Sequence, residues 1–592
     1  MDAVLGDTLT LRGLAWLLAA GLPLLPAVGC LTRLRSKTIL LAPWTALPAL
    51  LLALWPLPSA RYPWLLLGAT MGLEDETGRV FLLFTAFLWI CSGVYARSYL
   101  ARDELQHRFF AFFLLTASGN LGLILARDMI AFYFCFVLMT FAAYGLIVHG
   151  GSLAARRAGL VYVVMALIGE VALITALLII GITGYGNLLE PAFVVAVAEG
   201  RNLIIVLLLM GFGVKAGAVP LHLWLPLAHP VAPTPASAVL SGVLIKAGLL
   251  GWLRFLPMGE AAFPHWGGLC MTAGLAAALF GVLMGLTQDD PKTVLAYSSI
   301  SQMGVMITAL GIGLTVPAAW PLTLAALLFY ALQHALAKGA LFLGVGMTGA
   351  AVGGAVQRLT FYACILLPAL SLAGAPLTSG ALAKAALKGA AYLTPDPWSS
   401  RLDGLLALSA IGTALLMAHF MIILRHRCSK DLVAHRPGGG QWASWLLLLA
   451  AVASATWLLP AGELEAVRAE LSAITRVWEG LWPVLLGAVL GWIVWRLVHR
   501  KGARTSPLIP AGDLLVIIVW LLNKPVRLFR AGMALEDSRL NYRETLEKLK
   551  NQELSALLSA VTAGEGWLVR WRLAGIVFLL LTTGLLLLLA MA

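Results

Sequence analysis

Five lysines stand inside segments otherwise apolar enough for a lipid bilayer: Lys215, Lys246, Lys338, Lys384 and Lys388. A lysine at the centre of a membrane helix costs about 2.5–3.5 kcal/mol on insertion scales, so a chain that keeps several uses them. An ammonium shielded from water can carry a proton, because neighbouring charges control how tightly it is held. Lys215 and Lys246 bracket a proline- and histidine-bearing turn in GFGVKAGAVPLHLWLPLAHPVAPTPASAVLSGVLIKAG. His334 and Lys338 are four residues apart in LQHALAKGALF and share one helix face. His334 reads either as a proton-transfer group or as a helix-packing hydrogen bond. Glu170 lies mid-span in VMALIGEVALITAL, either paired with a lysine or held as a neutral hydrogen-bonded acid. His222 and His229 flank Pro220, Pro226 and Pro230, at the cytoplasmic mouth of a broken helix. They read as members of the path or as solvated loop side chains. Lys388, close to Tyr392, is near enough to a helix end to snorkel to the headgroups. Asp289, Asp290 and Lys292 read as a helix start.

The elements that must position these groups follow from composition. The chain has 592 residues, 60% hydrophobic and only 12% charged, which excludes a string of soluble domains. The net charge of +13 is spread over short loops between apolar runs and forms no basic face, which argues against nucleic acid as a partner. Six scattered cysteines offer no CxxC or metal spacing, so neither a cofactor nor a metal is expected. Leu11–Cys30 is long enough to remain as a first span rather than a cleaved signal.

The apolar windows predict about sixteen transmembrane helices, beginning near residues 11, 38, 80, 109, 129, 159, 202, 236, 267, 292, 320, 358, 404, 442, 479 and 570. Basic clusters at Arg33–Lys37, Arg97–Arg108, Arg156–Arg157, Arg425–Arg436 and Arg496–Arg504 all follow odd-numbered spans. The positive-inside rule then puts these loops in the cytoplasm and the N-terminus outside the inner (plasma) membrane. Breaks are expected at Val219–Pro220 and Ala375–Pro376, where a proline removes a donor from an apolar run. A membrane tolerates this where the freed carbonyls face protein or a wet cavity, and paired breaks point to a transport path. From Met533 to Ala563 the chain has neither proline nor glycine, and Leu540, Leu546, Leu549, Leu554, Leu557 and Leu558 make a helical stripe. This predicts an amphipathic helix on the cytoplasmic surface, as a membrane tether or as a strap for neighbouring subunits, before a final span ending at Ala592.

Four pieces in this order carry a family resemblance: the Gly211–Gly248 stretch, DDPKTVLAYSSISQMGVM, HALAKGALFLGVG and GAPLTSGALAKAAL. From about Val80 to Leu424 the chain resembles the antiporter-like subunits of the complex I superfamily. That superfamily includes the large proton-channel subunits of NADH:quinone oxidoreductase, the A and D subunits of Mrp antiporters, and the large membrane subunits of group 4 hydrogenases. The AHPVAP turn and IKAG segment most resemble the hydrogenase-4 type, and the C-terminal helix is similar to the lateral helix of the distal complex I subunit.

The resemblance implies an all-α polytopic fold with two inverted five-helix repeats, each with a broken helix. Residues 1–108 are then N-terminal spans, 109–257 the first repeat and 258–425 the second. Residues 426–510 add further spans, 511–569 the lateral helix and 570–592 the last span. Lys215 becomes the central lysine of the first half, Lys246, His334 and Lys338 the axis between halves, and Lys384 the exit residue. Ser298, Ser299, Ser301 and Gln302 become a water lining.

Two departures stand out. Val137 occupies the place of the family's usual fifth-span glutamate, and Leu227 that of the acid in its WLP-D/E-A turn. Either Glu170 on the next span takes over, or the first half is degenerate. The functions in play are a proton-translocating subunit of a redox-driven complex, an Mrp-type cation/proton antiporter component, or a scaffold. The chain has no nucleotide loop, cluster ligands or flavin motif. Any oxidoreductase chemistry, of NADH:quinone oxidoreductase or hydrogenase type, would then belong to partner subunits.

Overall fold

The computed structural model describes residues 11–73, 75–184, 190–352, 354–430, 437–458 and 462–499. The expected lateral helix and final span lie outside the described residues. Residues 63–68 group with 514–592 in a second unit, of which the described part is a turn closed by the Gly68 N–H on the Leu65 carbonyl at 2.9 Å. Everything below concerns the first unit, residues 1–62 and 69–513.

The chain opens with α1 (Leu11–Gly21) and α2 (Leu24–Gly29), then α3 (Arg35–Leu54). A short antiparallel pair follows, β1 (Ala60–Tyr62) on β2 (Ala69–Met71). Helices α4 (Glu76–Tyr99), α5 (Gln106–Leu125), α6 (Met129–Ile147) and α7 (Leu153–Thr183) come next. After the short α8 (Pro191–Val197) comes the interrupted pair α9 (Arg201–Ala216) and α10 (Trp224–Val231). Then follow α11 (Thr234–Phe255), α12 (Pro264–Gly285), α13 (Pro291–Thr315) and α14 (Trp320–Val345). A second interrupted pair, α15 (Ala355–Ala373) and α16 (Ser379–Ala391), leads to α17 (Trp398–Lys430), α18 (Gly439–Leu458), α19 (Glu463–Glu470) and α20 (Ile474–His499).

Twelve described helices are long and apolar enough to cross a membrane, or thirteen if α19 and α20, bent by 82°, count as one span. Three of the sixteen expected windows fall outside this set. Pro23 splits the first apolar window into α1 and α2, both short. The window at 202 yields α9, which stops after 16 residues. The window at 570 is not among the described residues.

Helix starts follow local chemistry. Asp128, Ser152, Asp290 and Thr378 are N-caps whose side chains accept from the N–H of Ala131 (2.8 Å), Ala155 (3.1 Å), Thr293 (2.9 Å) and Ala381 (3.3 Å). The two interruptions share one ending. Gly217 (φ 71°) and Gly374 (φ 85°) sit in the left-handed region, which favours glycine. The N–H of the next residue, Ala218 or Ala375, reaches back to the Gly213 or Leu370 carbonyl at 2.9 or 3.0 Å. These are matching Schellman endings, and each stops a membrane helix part-way.

Burial separates a centre from a perimeter. Helices α13 and α14 are buried along the whole of their apolar windows, and α11 over 94% of its window. Helix α7 exposes Leu160, Val164, Leu167, Val171, Ile174 and Leu178, an apolar face suited to lipid. Polar groups on the central helices therefore meet other helices, where hydrogen bonds can be made. On its inner side α7 packs on α9, and a Cβ on Gly169 would come 3.1 Å from the Gly211 carbonyl. Gly169→Val is expected to separate these backbones and to lower the thermal unfolding midpoint by about 1–2 °C, as overpacking by about 1–3 kcal/mol implies for a chain of this length.

Candidate proton-transfer site

Lys215 lies in the last turn of α9 and is 4% exposed. Its Nζ donates to the Tyr162 hydroxyl at 2.9 Å. It lies 5.3 Å from the centre of the Tyr162 ring and 5.8 Å from that of Phe136. Tyr162 in turn donates to the Thr140 carbonyl at 2.7 Å. The Trp224 indole N–H, from α10, donates to the Val214 carbonyl at 2.7 Å, beside the Gly217 N–H at 3.3 Å. Glu170 is 7% exposed, and it lines with Lys215, Thr140, Tyr162 and Phe136 a cavity of about 10 Å³. Acid and amine face one cavity without a direct ion pair, and the hydroxyls of Thr140 and Tyr133 stand beside the carboxylate without forming a well-aligned hydrogen bond to it. Phe136 packs with Phe132 and Phe212 on one wall, at centroid distances of 6.2 and 5.7 Å.

The second group is fully buried on α11, α13 and α14. Lys246 donates to the Ser241 carbonyl at 2.7 Å and meets His334 Nδ1 at 2.5 Å. Residues Leu240–Leu244 form a turn of π-helix, and Ser241 belongs to it. Such turns interrupt the regular carbonyl ladder and recur at functional sites. The Ser241 and Ser299 hydroxyls meet at 2.8 Å, and Ser299 donates to the Leu295 carbonyl at 3.0 Å. Lys338 donates to the same Leu295 carbonyl at 2.8 Å. His334, Lys246, Ser241, Ser299, Leu295 and Lys338 thus form one linked polar run through the centre of the bundle.

A third group leads onward. Gln302 accepts from the Tyr330 hydroxyl at 2.7 Å and donates to Thr413 at 3.0 Å. Tyr330 also lines a cavity of about 290 Å³ with Lys384, Lys388, Asp403 and Glu479. Lys384 caps the broken end of α15 by donating to the Ala373 carbonyl at 2.7 Å. Lys388 pairs with Asp403 at 2.8 Å and stands 3.9 Å from Glu479, itself held by Arg476 at 3.1 Å. Asp403 is near the start of α17, whose other end carries the basic Arg425 and Arg427.

The remaining expectations fare differently. Ser298 and Ser301 are buried on α13, with hydroxyls that have no hydrogen-bond partner. His222 and His229 are not solvated loop side chains, because both are fully buried. The His222 ring meets Phe280 edge-on at 5.2 Å, and His229 stacks on Phe342 at 4.6 Å. His222 lies in the turn before α10 and His229 on α10 itself, where Pro226 falls in the first turn and a missing donor costs little. Lys388 is held in an ion-paired cluster rather than simply extended to the surface. Asp290 does start a helix, whereas Lys292 is buried and donates to the Ala232 carbonyl at 2.7 Å. Lys215 and Lys246 are not joined by any hydrogen bond among the described residues.

Sequence reasoning missed Tyr162, Thr140, Ser241, Tyr330, Asp403 and Glu479. A polar residue inside an apolar window was a usable signal for the first four. Asp403 and Glu479 sit near helix starts, where carboxylates are common and carry no such signal.

A helical, multi-span membrane protein whose central helices hold lysines away from lipid defines the broad class. The transmembrane-region model of the NADH:quinone oxidoreductase/Mrp antiporter family matches residues 126–398. The chain is 32% identical over 341 residues to the D subunit of the Na(+)/H(+) antiporter of Alkalihalophilus pseudofirmus, covering 55% of this chain and 67% of that one. It is 33% identical over 290 residues to hydrogenase-4 component B of Escherichia coli, covering 47% and 43%. The chain therefore spans less than half the length of that relative. A solved Mrp complex from Dietzia sp. DQ12-45-1b has the same fold, with a TM-score of 0.68 at 22% identity over 95% of this chain and 63% of that one. The chain belongs to the NADH:quinone oxidoreductase/Mrp antiporter family.

Proposed function

We propose that this chain is a proton-translocating, antiporter-like subunit of a larger, redox-driven ion-pumping complex in the inner (plasma) membrane. The observation that carries the reading is the linked run from Lys246 and His334 through Ser299 to Lys338, buried between two helices broken in the same way. The matching endings at Gly217 and Gly374 support two inverted repeats, each built round one broken helix. In the first half Lys215 is the carrier and Glu170 replaces the carboxylate lost at Val137, as their shared cavity supports. In the second half Lys384 is the exit residue, and the larger cavity beside it leads the route onward. His222, His229, Ser298, Ser301 and Gln302 line the route, and Lys388 sets the charge at its outer end.

The required energies are moderate. Moving one charge against about 150–200 mV costs roughly 3.5–4.6 kcal/mol. The approach and withdrawal of an opposite charge beside a lysine changes its ammonium's stability by amounts of that order. The driving event lies in partner subunits, of the kind found around the hydrogenase-4 and Mrp relatives.

In vesicles containing the assembled complex, Lys215→Ala is expected to abolish coupled proton uptake, and Glu170→Gln to reduce it about tenfold or more. Unchanged uptake in Glu170→Gln would show that this acid does not replace the one lost at Val137. A cation/proton antiporter component is the second reading, favoured by the 67% coverage of the Na(+)/H(+) antiporter relative. Sodium-dependent proton movement in the absence of any electron donor would select it.

A further inference from the structure

We propose that one ordered water, held by Glu170, Thr140 and Lys215, is the bridge between acid and amine in the first half. The inference rests on the reading of Lys215 as a proton carrier and adds a site and a positioning residue to it. Neither Glu170 carboxylate oxygen nor the Thr140 hydroxyl, all buried, makes a well-formed hydrogen bond, and the hydroxyls of Thr140 and Tyr133 stand beside the carboxylate. Glu170 is 7% exposed and Thr140 2%. Together with Lys215 they line the cavity of about 10 Å³, roughly the space a single water needs. A buried water makes about two to four hydrogen bonds, and these three side chains supply that number.

Tyr162 is excluded as the bridge because its hydroxyl is committed on both sides. It donates to the Thr140 carbonyl at 2.7 Å and accepts from Lys215 at 2.9 Å. It fixes the amine at the cavity wall and leaves the other ammonium protons for the water. A metal cation in this space would sit beside the Lys215 ammonium, so water is the ligand the charges favour. Thr140 is also three residues beyond Val137, on the same face of α6. Helix α6 thus contributes a hydroxyl where the family has a carboxylate, and the acid comes from α7.

The transfer balances without any other reactant. Lys215 gives one N–H proton to the water oxygen, and the water gives one of its own protons to the Glu170 carboxylate. The amine and the acid end neutral and the water is regenerated. Thr140 holds the water in line.

The test uses the full-length protein reconstituted in vesicles, with Thr140→Val, Thr140→Ser and Glu170→Gln. Difference infrared spectra locate the Glu170 carboxylic C=O band as the one absent from Glu170→Gln. Thr140→Ser is expected to keep the wild-type band and uptake rate. Thr140→Val is expected to move the band to higher frequency and to slow uptake about tenfold, as loss of a hydrogen bond to a charged site implies. A band unmoved by Thr140→Val overturns the inference. If the valine variant does not assemble, a wild-type map at water-resolving resolution decides: a peak within hydrogen-bond distance of all three side chains supports the site, and a blank cavity overturns it. Failure of the wider reading is separate. It would appear as normal uptake in Lys215→Ala, whereas the band position reports the hydrogen bonding of Glu170 and the map distinguishes a bridging water from a direct Thr140 contact.

Discussion

Lys246→Ala is expected to lower proton transport by about a hundredfold or more while the protein still assembles. Among the described residues the Lys246 ammonium is the group that bonds both His334 and the Ser241 carbonyl. Its removal isolates His334 from the Ser241–Ser299–Leu295–Lys338 run. An alanine there also leaves a polar cavity between α11 and α14, in which His334 and the Ser241 carbonyl lose their shared partner. Water can enter such a space, so the loss of transport should exceed the loss of stability. Lys246→Arg keeps a charge, but its planar, permanently protonated head cannot give up its proton, so it should block transport as fully as alanine. Equal transport in wild type and Lys246→Arg would mean that the residue serves only as a fixed charge.

The second large effect is expected at Lys384. It caps the end of α15 through the Ala373 carbonyl and faces the cavity that holds Asp403 and Glu479. Lys384→Ala removes both the proton carrier and the cap, and transport should fall by about a hundredfold. Lys388→Ala provides the contrast. Lys388 is partly solvated and its ion pairs with Asp403 and Glu479 are near the surface. Such pairs contribute about 0–1 kcal/mol, so this variant should lose only a fewfold in rate. Measuring both rates in vesicles at matched protein density separates the two. A larger loss at Lys388 than at Lys384 would move the exit residue one turn along α16.

Much of this arrangement was legible in the residues. Lysines in apolar windows are costly enough to stand out, and the helical spacing of His334 and Lys338 already placed them together. The glycine and proline of GAVP and GAP marked both interruptions, although the endings fall at Ala216 and Ala373, a few residues before the prolines. Less legible was anything decided between helices. Periodicity tells which face of α7 carries Glu170, but not that its neighbour across the gap is Thr140 of α6. For His222 and His229 the sequence left path member and solvated loop side chain both open, and only tertiary packing shows them buried against Phe280 and Phe342. Lys292 followed the rule for a helix start, yet its long side chain turns inward to a carbonyl that only the broken-helix geometry exposes. Proline and a left-handed glycine also cut the apolar windows at 11 and 202 into helices shorter than a full span.

The central claim is that protons move along the buried lysines. Proton flux into vesicles containing the assembled complex, driven by an imposed membrane potential and read by an internal pH dye, tests it most directly. Wild-type vesicles should acidify, while those carrying Lys246→Ala, with equal amounts of assembled protein, should stay within the leak of protein-free vesicles. Wild-type flux in the assembled Lys246→Ala complex would contradict the account.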